Sequence, residues 1–195
     1  MGKKMLKEVL DKVMAVASLP VYLLFCIMAL LAGRRKAFAS VMQGVSLLPG
    51  ISGEWFRRGV LKWVTGQGLK DACICFGTLF SDPDLQLGDG IYIGPRCDLG
   101  RVIIGKNTIM GSNVQVLSGL RQHRFDDPGI PIKDQSGCFE KVSIGEDCWI
   151  GNGALICADI GNRCVIGAGS LVVKAVPNHS IVRGHSIQNT TLPDK

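Results

Sequence analysis

The sequence predicts a mainly β fold, a parallel β-helix of hexapeptide repeats, behind an N-terminal helical region that is first hydrophobic and then amphipathic. Three observations predict it. An aliphatic residue or Met followed by Gly recurs at steps of six through the second half of the chain. The position two residues before each of those aliphatics excludes charge. The first 70 residues, by contrast, are basic and hold an uncharged apolar run.

The charge separates the two regions. The chain of 195 residues carries a net charge of +6, but residues 1–70 hold 11 Lys and Arg against 3 Asp and Glu, and residues 71–195 hold 11 against 13. Basic charge confined to the most hydrophobic segment points to an anionic membrane surface and away from nucleic acid. From Val13 to Gly33 there are 21 residues without a charge, about the 20 that a helix needs to cross the hydrocarbon core. Lys3, Lys4, Lys7 and Lys12 precede the run and Arg34, Arg35 and Lys36 follow it, so the flanking charge does not orient it. Pro20 lies inside, where it kinks a span or marks the apex of a re-entrant helix. Residues 1–36 are therefore expected to be a membrane helix, spanning or re-entrant. An Ala37-Phe38-Ala39 site is separated from the apolar run by three cations, which argues against a cleaved signal.

Residues 37–70 read as an amphipathic helical region. Trp55, Phe56, Val60, Trp63 and Val64 recur at roughly helical spacing beside Arg57, Arg58 and Lys62. That helix suits either the headgroup level of a membrane or packing on the next domain or a neighbouring subunit.

From residue 71 a six-residue period takes over. The pairs are Leu87-Gly88, Ile93-Gly94, Leu99-Gly100, Ile104-Gly105 and Met110-Gly111, then Ile144-Gly145, Ile150-Gly151, Ile160-Gly161 and Ile166-Gly167. Neither a strand nor a helix repeats every six residues; three flat rungs closing a triangular coil do, with the aliphatic inward and Gly at the corner. The second inward position holds Leu85, Ile91, Cys97, Val102, Thr108, Val114, Val142, Cys148, Ala154, Ala158 and Cys164, all apolar or small. Three of the eight cysteines thus serve as small core residues, and none stands at metal-ligand spacing from a His. The step from Ile156 to Ile160 is only four, which a tightened corner accounts for. Between residues 117 and 141 the period vanishes, and a rigid prism ejects such a loop for function. It carries His123, one of three histidines, beside Arg121, Arg124, Asp126 and Asp127.

Residues 71–185 resemble the hexapeptide-repeat, left-handed β-helix acyltransferases, and among these the acetyltransferases of maltose, galactoside, Nod-factor and polysaccharide sugars. The resemblance rests on Ile144-Gly145-Glu146-Asp147-Cys148-Trp149-Ile150-Gly151, on the run from Val165 to Lys174, and on Val176-Pro177. It implies a left-handed coil, a homotrimer with active sites between subunits, and acetyl-CoA as donor without a metal. It further implies that His123 is the general base that takes the proton of an acceptor hydroxyl, a role an imidazole fills near neutral pH. Trp149 matches the aromatic beside the thiol end of CoA. Asn152, Ala168 and Ser170 match positions along the pantetheine arm, and Lys174 a lysine near the phosphates. Asn113, Asp126 and Asp127 are candidate acceptor-site residues, either Asp also being placed to orient the imidazole. The chain departs from the family at Gly184-His185-Ser186-Ile187-Gln188, losing a basic residue near the nucleotide for which Arg183 is the available substitute.

The expected function is an acetyl-CoA-dependent sugar O-acetyltransferase at the cytoplasmic face of a bacterial inner membrane, acting on a lipid-linked or polysaccharide-precursor glycan. A non-catalytic trimeric membrane scaffold is the alternative, along with the same fold acting on an amine, serine or a lipid A precursor. A carbonic anhydrase needs three histidines on neighbouring rungs, and His179 and His185 lie beyond the repeats.

Overall fold

The computed structural model describes residues 2–188. The last residues of the predicted 71–195 region, 189–195, lie outside the described residues, as do the side chains of Lys3 and Lys4. Four helices come first: α1 (Gly2–Ala17), α2 (Leu19–Ala32), α3 (Arg34–Ser46) and α4 (Gly50–Thr65). They are followed by a left-handed β-helix with three parallel faces. Face A stacks Cys73–Ile74, Tyr92–Ile93, Ile109–Met110, Trp149–Ile150, Val165–Ile166 and Ile181–Arg183. Face B stacks Leu79–Phe80, Asp98–Leu99, Gln115–Val116, Leu155–Ile156 and Leu171–Val172. Face C stacks Gln86–Leu87, Val102–Ile104 and Val142–Ile144, continued by single bridges at Ile160 and Val176. Ser186–Gln188 turns back antiparallel and covers the last rung.

The inward register is the one the repeat predicts. Ile93, Leu99, Ile104, Met110, Ile150 and Ile166 are buried, and so is every member of the second inward set apart from the half-buried Ala158. Hydroxyls and thiols that fall there find carbonyls of the next coil: Thr108 donates to Gly145 (2.7 Å), and Cys148 to Gly161 (3.1 Å). Burial pushes the Cys97 thiol up to about 11, as suits a packing residue. Corners entering faces A and B place one residue in the left-handed region. His179 (φ 61°) holds that place in one coil and Asn113 (φ 57°) in another. Asn tolerates this conformation better than most residues, which gives Asn113 a steric reason to be there.

The helical region closes the open end of the prism, where unpaired strand edges would otherwise stand free. Of the two settings open to α4, the structure selects packing on the next domain: Val60, Leu61 and Val64 are buried, and Arg57 and Arg58 with them. The Arg57 guanidinium donates to the carbonyls of Ile74 (2.9 Å), Leu48 (2.7 Å), Val45 and Ser46, joining the α3–α4 turn to the first rung. Burial pulls its pKa below the ordinary value. Arg58 bonds the Ala72 carbonyl and Asp11 of α1, and Lys62 joins the same carboxylate.

Candidate active site

The loop of residues 117–141 leaves at the edge between faces B and C, after Gln115–Val116, and returns into Val142–Ile144. Its two ends are zipped together. Glu140 N–H bonds the Ser118 carbonyl (2.9 Å) and Cys138 N–H the Arg121 carbonyl (2.7 Å). At Gly137 the chains come so close that a Cβ would sit 1.8 Å from the Gln122 carbonyl oxygen and 2.8 Å from the His123 nitrogen. Only Gly fits, and His123 stands at the end of this zipper. Its exposed ring meets Phe139 edge-on, with centroids 6.3 Å apart. Phe139 in turn lies under Arg35 of α3, the guanidinium 5.2 Å from the ring centroid.

At the base of the loop is a groove of about 270 Å³, lined by Arg35, Ser81, Asp98, Gln115, Gln122 and Phe139 among others; His123 does not line it but adjoins it through Gln122 and Phe139. Asp98 and Gln115 are register partners on face B, so their side chains point outward one above the other. Asp98 opens to solvent, yet surrounding protein desolvates it enough to raise its carboxyl pKa. The groove is part polar and part apolar, with Val116, Leu117 and Phe139 beside the polar side chains, and has room for one small ring. Sequence reasoning missed Asp98, Gln115 and Arg35. Outward positions of face A are apolar (Tyr92, Ile109, Trp149), and polar residues at the same register on face B were the available signal.

Asp126 is paired with Arg124, and its carboxyl is held below the ordinary value by that guanidinium. Asp127 accepts the N–H of Gly129 two residues on. Among the described residues, neither carboxylate bonds the imidazole. Lys174 is exposed on the same B/C edge as the loop, two coils further along.

Other residues matched to the CoA arm lie elsewhere. Asn152 and Ala168 succeed Ser112 along the edge between faces A and B, one per coil, while Gly153 and Gly169 take the register of Asn113. Ala168 is exposed, and a Cβ at the neighbouring Gly153 or Gly169 would meet nothing within 4 Å, so this edge is bare and open. The Asn152 side-chain oxygen accepts the Ser112 N–H (2.9 Å), an internal tie between coils. Ser170 is open to such an arm only through its backbone. It falls two residues before Val172, hence inward and fully buried, with its hydroxyl accepting from Gly184 N–H (3.1 Å). Its side chain faces the core and presents nothing to a ligand. Trp149 stands 60% exposed on face A, between Ile109 and Val165. One chain therefore carries the imidazole and the bare edge on different sides of the prism.

Comparison with known proteins agrees with this architecture. Residues 141–174 match the model of the hexapeptide repeat of succinyl-transferase. Nodulation protein L of Rhizobium leguminosarum bv. viciae is 37% identical over 78 residues, which cover 37% of this chain and 38% of that protein's length. A maltose O-acetyltransferase from Clostridium difficile 630 superposes with a TM-score of 0.52 at 19% identity, over 83% of this chain and 88% of its own. AntD, an N-acyltransferase from Bacillus cereus solved with dTDP-4-amino-4,6-dideoxyglucose and coenzyme A, does so with 0.53 at 16% identity, over 64% and 71%. At such identities the superpositions establish the fold. By its repeats and its coil, the chain has the hexapeptide-repeat left-handed β-helix, the fold on which it superposes with these two acyltransferases.

Proposed function

We propose that this protein transfers an acetyl group from acetyl-CoA to a hydroxyl of a sugar, with His123 as general base. The observation that carries the reading is the zipped loop, which holds one exposed imidazole against Phe139, a wall of a mixed polar and apolar groove with room for a single ring. Sugars are bound through hydroxyl contacts to carboxylates and amides, and Asp98, Gln115 and Gln122 supply that set. In the reaction His123 accepts the acceptor's proton as its oxygen attacks the thioester carbonyl carbon. The C–S bond then breaks, and the imidazolium returns the proton to the departing thiolate. Acetyl-CoA supplies the activated acyl carbon. Along the A/B edge, the bare backbone around Ala168 leaves a track for a narrow arm, exposed Arg183 at the end of face A offers charge to its phosphates, and Lys174, on the B/C edge, serves them only from a neighbouring chain.

Because the imidazole and the track lie on different edges, the reading requires a neighbouring chain: three prisms side by side, the loop of one against the A/B edge of the next. The outward apolar ladder of Tyr92, Ile109 and Trp149 supports such an assembly. The setting we propose is the cytoplasmic face of a bacterial inner membrane, with a lipid-linked or polysaccharide-precursor glycan as acceptor. Support comes from the basic, apolar N-terminal region and from Arg35, which joins that region to the groove.

Thiol release from acetyl-CoA over a panel of sugars tests the chemistry. Wild type is expected to turn over at least one sugar, and His123→Ala to lose about 10²–10⁴-fold in kcat. Equal inertness of both proteins across the panel would favour the scaffold instead.

A further inference from the structure

The helical stretch Lys7–Ala32 is long and apolar enough to cross a membrane, and only 11% of its most apolar window is buried. Laid straight, its 26 residues would measure about 39 Å, more than the ~30 Å hydrocarbon core. Its attachments are all to one side. Before it, Lys7 pairs with Asp71 (2.7 Å); after it, Arg34 pairs with Asp84 (2.8 Å); both aspartates belong to the first coil of the prism. The middle is attached as well: Ser18 is fully buried, Trp63 of α4 donates to the Ala15 carbonyl (2.7 Å), and a Cβ at Gly59 would stand 2.7 Å from the Ser18 hydroxyl. A crossing helix would drag α4 with it and carry the guanidinium groups of Arg57 and Arg58 into the hydrocarbon, where charge is strongly disfavoured.

The opposite face is unpartnered and apolar. Val9, Val13, Val16, Leu23, Ile27 and Leu30 follow at steps of three or four, except across the Ser18–Pro20 kink, and all are at least half exposed, Leu30 to 89%. They form one stripe along both helices. Exposed Lys12 and Lys36 stand near its two ends, where anionic headgroups would meet them.

We infer that α1 and α2 lie along a single leaflet of an anionic bilayer, apolar stripe down, so that both ends of the segment stay on the side that holds the prism. This rests on the membrane association proposed above and fixes its topology as one-sided. The stripe takes acyl chains, and the lysines take headgroup phosphates.

The test uses the full chain with an epitope tag at its N-terminus. Sealed membrane vesicles of known orientation, prepared from expressing cells, are treated with protease from outside. The expected result is that tag and prism are cleaved or protected together, in either orientation. Purified protein should float with phosphatidylglycerol-containing vesicles and less with pure phosphatidylcholine, and Ile27→Glu with Leu30→Glu should lower the bound fraction about tenfold while the circular dichroism stays unchanged. A tag protected where the prism is cleaved would overturn the one-sided topology and leave membrane association standing. Failure to bind either vesicle, with the stripe buried in a larger assembly of this chain, would overturn both.

Discussion

Two kinds of edge run along this prism, and they obey different rules. At the A/B and C/A edges the step from one inward aliphatic to the next is six residues in every coil, as from Ile150 to Ile156 or from Ile144 to Ile150. At the B/C edge it is seven from Phe80 to Leu87, five from Leu99 to Ile104, twenty-eight from Val116 to Ile144, then four from Ile156 to Ile160 and four from Val172 to Val176. The constant edges are locked by backbone contact between coils: a Cβ at Gly151 would meet the Ala168 nitrogen at 2.4 Å, and one at Gly145 the Asn162 nitrogen at 2.6 Å. Along the variable edge the residues after the aliphatics are Ser81, Gly100, Leu117, Cys157 and Val173, so most coils lack that lock. The locked edges hold the fold, and the unlocked edge is where chain can be added, His123 with it.

The largest effect should come from breaking this rule directly. Four residues inserted between Gly151 and Asn152 should abolish folding, read as loss of soluble β-rich protein. The same insertion between Cys157 and Ala158 should leave it folded, since this edge already differs in length from coil to coil and lengthening a connection costs little, about 0.6 kcal/mol per doubling. Next is the junction of helices and prism. Arg57→Met removes the buried guanidinium that donates to four carbonyls, among which Ser46 and Val45 keep a backbone donor, and should cost about 3 kcal/mol in denaturant unfolding. Gly137→Ala acts more locally, pushing the loop strands apart beside His123. A fall of about 10²-fold in kcat, with an unchanged melting temperature, is expected from misplacing the base by an ångström.

The smallest effect concerns pH. Burial raises the Asp11 carboxyl, but hydrogen bonds and charge from Lys62 and Arg58 outweigh it and leave the pKa below the ordinary value. The clasp of α1 on α4 is then at full strength above the ordinary carboxylate pKa and is lost as pH falls through the lowered one. Trp63 fluorescence should report an acid transition there that Asp11→Asn lacks.

Much of this was legible in the sequence because the locked edges write themselves into it. The Ile-Gly and Leu-Gly pairs lie almost all on faces A and C, where the Gly is forced by contact between coils. Face B signals less: Val116, Ile156 and Val172 carry no Gly after them, and the four-residue step at Ile156 looked like an isolated anomaly until its repeat at Val172 placed both on one edge. Asp98 and Gln115 were hidden for the same reason, since an outward polar residue looks like any solvated side chain until its face is known. Ser170 shows the opposite case: its place two residues before Val172 marks its side chain as inward, which leaves only its backbone for the arm that the resemblance implies. The helical region was legible in composition but not in attachment, because the aspartates that bind its ends lie 50 residues or more away in sequence.

Mixing two inactive variants tests most directly the claim that the base on the variable edge works on a track borne by the constant edge of another chain. His123→Ala removes the base, and Ala168→Trp fills the track. Each alone should be inactive towards acetyl-CoA and the sugar acceptor, and chains mixed one to one before assembly should regain about a quarter of wild-type activity, the share of interfaces with both halves intact. No recovery from a mixture shown to contain both chains in one assembly would contradict the shared site and return the chemistry to a single prism.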